Sequence, residues 1–201
     1  MKEGYIIRDQ DKIHFITCTV VSWIDVFTRK VYRDIIISSL EYCIKEKGML
    51  LYGYVIMSNH IHLILQSKHS KLSDLVRDFK KFTSKSTLEA ILNEPESRKE
   101  WMLKLFKEAT ESHCRNKNYQ LWQYGNHAEE VNSLKFLWDK LHYIHLNPVR
   151  AGIVEKCHHY IYSSASNYVE NKGLLDIELV DNPIVDVTKA NQFWKYNTYD
   201  D

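Results

Sequence analysis

Glycine and proline are scarce, with 6 Gly and 3 Pro in 201 residues, too few for a low-complexity chain or a long flexible linker. Neither sign of charge dominates. The 27 basic and 26 acidic side chains leave a net charge of +1, so any affinity for nucleic acid must come from a local patch. The four cysteines, Cys18, Cys43, Cys114 and Cys157, form no CxxC pair. A zinc module drawn from His113, Cys114, Cys157, His158 and His159 lacks tight ligand spacing too. Scattered thiols without a secretory leader lead us to expect a cytoplasmic protein with reduced cysteines. No apolar run approaches the roughly 20 residues a membrane span needs, so no membrane partner is expected.

What the chain does have is the material for a core. Hydrophobic residues make up 44% of it, and its length suits one domain of about 150 residues with additions, or one larger domain. The stretch KIHFITCTVVSWIDVF (12–27) is β-branched and aromatic and predicts a strand. A helix is expected over 28–48, with Thr28 as N-cap and Gly48 as stop. Strands follow at 49–58 and 60–67, with a hairpin or bulge at Ser58-Asn59. Residues 71–92 form an amphipathic helix with Leu72, Leu75, Val76, Phe79 and Phe82 on one side. The charged segment 93–118 predicts a helical insertion, 119–131 a fourth strand, and 132–147 a helix ended by Pro148. This order predicts an α+β fold, a ferredoxin-like antiparallel sheet with helices packed on one face. It would occupy residues 1–170 as one domain, with 171–201 as a C-terminal extension.

Two segments carry chemistry. In GYVIMSNHIHLIL (53–65) the alternation of a strand turns His60 and His62 to one face and Ile61 to the other. Paired imidazoles are half of a metal site, but the chain has 10 His, and two strand histidines without a task are the default reading. In DKLHYIHLNPVRAGIV (139–154) the stripe Leu134, Leu137, Trp138, Leu141 and Ile144 predicts a core-facing side. Tyr143 lies nearly opposite that stripe, Asn147 one turn on, and Lys140 on the same flank. Spacing alone equally allows an ordinary surface tyrosine and a helix-terminal asparagine.

Taken together, NHIHLIL, WQYGNH, YIHLNPVRAGIV and YSSASNY resemble the single-tyrosine HUH transposases, and most of all the REP-associated tyrosine transposases of bacteria. The resemblance runs from about Gly4 to about Tyr168. It implies a metal-dependent enzyme that cleaves and rejoins one DNA strand beside a hairpin. His60 and His62 would hold Mg2+ or Mn2+, Asn147 would complete the site, and Tyr143 would be the nucleophile. The chain departs from the family pattern in carrying Tyr124 where a basic residue is usual, and in a longer insertion at 93–118. Implied partners are single-stranded or hairpin DNA, in a cytoplasmic, nucleoid-associated setting. A homodimer stays open, because such relatives include both monomers and domain-exchanged dimers.

The chemistry asks for these residue types. A phenol attacking phosphorus conserves bond energy as a 5′-phosphotyrosine link and releases a 3′-OH. A free tyrosine is ionised to only about one part in a thousand at neutral pH, so positioning and charge stabilisation must carry the rate. For the DNA backbone, Lys80, Lys81 and Lys85 follow the histidine strand, Lys140 and Arg150 flank the tyrosine, and Tyr124 could stack on unpaired bases. A solvated helix face accounts for several of these lysines equally well. The alternative on the same fold is a domesticated hairpin-binding protein without strand transfer.

Overall fold

The alternating stretch after Lys12 becomes a strand over six residues only, β1 (His14–Thr19), because the chain then breaks into two short 3-10 turns at Val21–Trp23 and Val26–Thr28. The computed structural model describes residues 7–111, 118–125 and 127–181. After β1 come α1 (Lys30–Lys47), β2 (Met49–Ile56), β3 (His60–Ser67), α2 (Leu72–Asn93), α3 (Lys99–Glu111), β4 (His127–Glu130), α4 (Leu134–Arg150) and α5 (Ala165–Glu170). The strands form one antiparallel sheet in the order β2-β3-β1-β4. The architecture is the expected α+β one.

Registers divide the sheet into two faces. Ile16, Cys18, Tyr54, Ile61, Leu63 and Leu65 alternate onto one, are all buried, and meet α1 and α2. Phe15, Thr17, Gly53, Val55, His62 and Ile64 lie on the other, where α4 packs. Helices therefore cover both faces, not the single face expected, and α4 takes the side that carries the histidines because Gly53 lets it approach there.

Several local expectations change on contact with tertiary packing. Thr28 does not cap α1; its hydroxyl donates to Asp25 O, and Arg29 precedes the helix without a side-chain cap. Gly48 does stop it, at φ 67°, with its N–H on Cys43 O. The bulge lies within β2 between Leu51 and Gly53, while Ser58-Asn59 is a tight turn closed by Met57 N–H on His60 O. Phe82 is 57% exposed rather than core. The buried stripe of α2 instead runs in four-residue steps through Phe79, Thr83, Thr87 and Ile91, and Thr83 Oγ1 accepts from the buried Trp122 indole.

Pro148 does not end α4. It sits inside the last turn, and the stop is Gly152 at φ 68°. Gly152 N–H bonds Val149 O and Ile153 N–H bonds Pro148 O, the two closing bonds of a Schellman motif. A proline this late forfeits a single intrahelical bond.

The insertion is latched down. Glu96, its side chain 2% exposed, is paired with Arg98 and Arg29 and accepts from the Tyr32 hydroxyl at 3.0 Å. Met102 and Phe106 of α3 are buried. Beyond α4 the chain returns along the free edge of β2. Ile56 N–H bonds Tyr162 O, Ser164 N–H bonds Tyr54 O, and Glu178 N–H bonds Leu51 O. The hydroxyls of Tyr160 and Tyr168 donate to Ile56 O and Tyr52 O.

Gly53 decides how close α4 comes. A β-carbon there would stand 2.6 Å from Leu141 Cδ2 and 3.1 Å from Ile144 Cδ1, both in fully buried side chains. Gly53→Ala is therefore expected to cost about 1–3 kcal/mol in chemical denaturation. Burial pushes the Glu96 pKa up, but Arg98 and the Tyr32 hydroxyl outweigh it and hold the carboxyl at about 2, against an ordinary 4.5. A depressed carboxyl stabilises the fold above the unfolded value and ceases to as the pH falls towards the folded one. Glu96→Gln should lower the thermal midpoint at neutral pH, and its gap to wild type should close as the pH is taken from 4.5 towards 2.

Candidate active site

His60 and His62 open β3 on one face, with ring centroids 4.8 Å apart. His62 is 5% exposed, stacks on Phe15 at 5.3 Å, and has Nδ1 2.8 Å from Thr17 Oγ1, its cross-strand partner. Its Nε2 is buried without any hydrogen-bond partner. Burial, and then the nearby charges of His60, Lys140 and His127, pull the His62 pKa down to about 3. Burial lowers His60 as well. Both rings are thus neutral at physiological pH and keep a lone pair for a ligand.

The His60 tautomer is set locally. Asn59 Nδ2 donates to Trp23 O at 3.3 Å, which turns Oδ1 towards His60 Nδ1 at 2.7 Å. That oxygen can only accept, so Nδ1 carries the proton and Nε2 the lone pair.

Helix α4 supplies the other wall. Tyr143, 41% exposed, lies with its ring centroid 5.4 Å from His62 and 6.1 Å from Phe15, near-perpendicular to both. Asn147 follows one turn on, half-buried, with its amide nitrogen buried and unpartnered. No hydrogen bond joins Asn147 to either imidazole. The Arg150 guanidinium lies 5.9 Å from the Tyr143 ring. Lys140 is not free: Nζ is 2.6 Å from Glu129 Oε2 and 4.5 Å from the Phe15 ring centre. Glu129 also takes His127 Nε2 at 3.0 Å. Burial pushes the Glu129 carboxyl up, but Lys140 and His127 hold it below its ordinary value.

The remaining basic candidates gather elsewhere. Lys80, Lys81, Lys85 and Tyr124 line one cleft of about 590 Å3 together with Arg77 and Trp122. The 122–123 segment bounding it bonds to Thr19 and Val20, at the end of β1 that faces His60. Within the cleft Lys80 is a structural clamp, donating to Gln123 O at 3.1 Å and Gly125 O at 2.9 Å. Lys85 pairs loosely with Glu89 at 3.8 Å, and Lys81 is exposed. The two other phenols near the tyrosine helix in sequence, Tyr160 and Tyr162, are buried and committed to Ile56 O and Asp34.

Thr17, Asn59, His127 and Glu129 escape a reading of the sequence because their roles depend on strand register. Thr17 faces both His62 and His127 across two ladders, and the only local signal is that it alternates in phase with Phe15. His113 and Cys114 lie outside the described residues. Among the described residues no group of three or more His, Cys, Asp and Glu is placed to hold a metal, and no helix is long and apolar enough to cross a membrane.

The family model described as "Transposase IS200 like" matches residues 8–145. Among solved structures, a REP-associated tyrosine transposase bound to a REP hairpin is similar, at 18% identity and a TM-score of 0.57, over 90% of this chain and 93% of that one. A transposase candidate from Deinococcus radiodurans R1 is 16% identical with a TM-score of 0.41, over 86% of this chain and 98% of that one. No curated protein matches.

Among the described residues the Thr17 hydroxyl is the one hydrogen-bond partner of the His62 ring. Thr17→Val should cost about 1 kcal/mol in urea denaturation, with the fold retained.

Proposed function

The chain belongs to the IS200-like transposase family, and from that premise we propose that it cuts and rejoins one strand of DNA beside a hairpin through a phosphotyrosine link at Tyr143. The observation that carries this reading is the approach of the Tyr143 ring to within 5.4 Å of His62. It places the one exposed phenol of α4 against the paired imidazoles. The fold relative whose structure holds a REP hairpin supports hairpin DNA as the substrate. A cytoplasmic, DNA-associated location follows from that substrate.

The donor set suits a divalent cation. Two neutral imidazoles, one with an orphaned buried Nε2, are polar groups awaiting a partner, and the Asn147 carboxamide oxygen would be the third donor. Two nitrogens and a carboxamide are a mixed and incomplete set, which favours Mg2+ or Mn2+ over structural zinc. When bound, the cation would polarise a phosphate oxygen and offset charge on the departing 3′ oxygen.

The chain's own groups account for the rest. Tyr143 Oη forms a bond to phosphorus while the bond from phosphorus to the 3′ oxygen breaks. The phenol gives up its proton, the 3′ oxygen gains one, and the 5′-phosphate stays on the protein. Attack by a different 3′-OH reverses these changes, so no bond energy is lost. Arg150, beside the phenol, offers a charge to the phosphate, and Lys140 keeps Glu129 neutralised at the rim. The cleft of Lys81, Lys85 and Tyr124 would carry the flanking strand.

Incubation with end-labelled hairpin DNA carrying a single-stranded flank, in Mn2+, tests the reading. A covalent protein–DNA adduct is expected from wild type, none from Tyr143→Phe, and none after EDTA. An adduct that persists in Tyr143→Phe moves the nucleophile elsewhere. Tight hairpin binding with no adduct would make the protein a binding module.

A further inference from the structure

The segment between β1 and α1 holds an exposure that packing does not explain. Trp23 is 62% exposed, more than any other large hydrophobic side chain among the described residues. Its neighbours Val21, Ile24 and Val26 are buried, so the segment is anchored on both sides of it. The backbone is unusual as well. Ser22 and Trp23 both adopt the left-handed region, at φ 52° and 55°, which a residue with a β-carbon occupies only at a cost. Such strain persists where the surroundings over-determine it. Here Val20 N–H bonds Asn59 O, Val21 N–H bonds Leu121 O, and Asn59 Nδ2 bonds Trp23 O.

These bonds tie the exposed indole to the site. Asn59, which holds the Trp23 carbonyl, also fixes the His60 ring. The Trp23 ring centre lies 6.3 Å from His60 at 73°. His60 in turn lies 4.8 Å from His62, which faces Tyr143. A large aromatic surface is thus held open, at the expense of backbone strain, on the rim of the imidazole pair.

We infer that Trp23 is a stacking platform for an unpaired base of the strand adjoining the bond to be cut, an inference that rests on the proposed function. An indole face stacks on any base, so the platform grips single strands without reading sequence. A base seated there would fix the neighbouring phosphate close to the imidazoles. Duplex DNA, with its bases already stacked, gains nothing from it.

The test uses the full chain carrying Tyr143→Phe, where no covalent link forms, titrated with a short unstructured oligodeoxythymidylate. Tryptophan emission should be quenched on binding, and Trp23→Phe should remove most of that quenching while keeping the affinity within a few-fold. Trp23→Gly should weaken binding about ten-fold, yet melt no lower than its parent, because glycine takes a positive φ freely. Quenching that survives Trp23→Phe, or unchanged affinity in Trp23→Gly, overturns the platform. The hairpin assay with Tyr143 intact separates the two readings. If wild type forms the adduct while Trp23→Gly binds as tightly as its parent, the platform alone falls. If wild type forms no adduct, the proposed function falls, and the titration still decides the platform.

Discussion

The geometry of the site depends on how deeply α4 sinks onto the sheet. Gly53 sits beside the β2 bulge and presents no side chain, so Leu141 and Ile144 reach the backbone. From the same helix the buried His145 places Nε2 2.9 Å from Ser164 Oγ, and that oxygen accepts from Tyr54 N–H at 2.9 Å. Close packing and a polar clasp fix both the depth and the rotation of the helix. With Leu141, Ile144 and His145 turned to the sheet, Tyr143 and Asn147 can only lie along the neighbouring rim. The distance between the phenol ring and His62 is therefore a property of the helix–sheet interface more than of the two residues themselves.

Charge around the site is arranged in the same economical way. The imidazoles are stripped of solvent and kept neutral, while Lys140, the lysine that approaches them, is already matched, lying between Glu129 and two aromatic rings. In the separate cleft, Lys80 spends its donors on the carbonyls of the 123–125 turn. Bringing further unmatched positive charge against buried imidazoles would leave the protein with a repulsive centre of high self-energy. Arg150 and Lys81, on more open surface, face no such restriction.

Much of this was readable along the chain where local pattern and tertiary demand coincide. β3 runs over the residues expected, His60 to Ser67, because apolar alternation continues without interruption and both faces are buried. Helical spacing also separates the α4 core positions Leu137, Leu141 and Ile144 from the Tyr143–Asn147 side, although Leu134, expected in the same stripe, is exposed in the first turn and Trp138 is only partly buried. Reading failed where a distant partner decides. Thr83 looks like a surface residue until Trp122 supplies a donor, and with Thr83 and Thr87 on the buried side Phe82 is left in solvent. Pro148 looks like a stop until Gly152 is seen to close the helix one turn later. Thr17 and Glu129 join the site only through strand registers that no single stretch encodes.

The return of the chain along β2 has a consequence for self-association. Strand margins normally offer a row of unused amides and carbonyls that a copy of the same molecule can template upon. Here the segment from Tyr160 to Glu178 occupies the Leu51–Ile56 part of that row with its own backbone and two tyrosine hydroxyls. A second molecule meeting this part of the border finds Leu51, Tyr52, Tyr54 and Ile56 already engaged. On this border, pairing of copies would have to proceed through side-chain surfaces, and growth into a continuous intermolecular ribbon is hindered on that side.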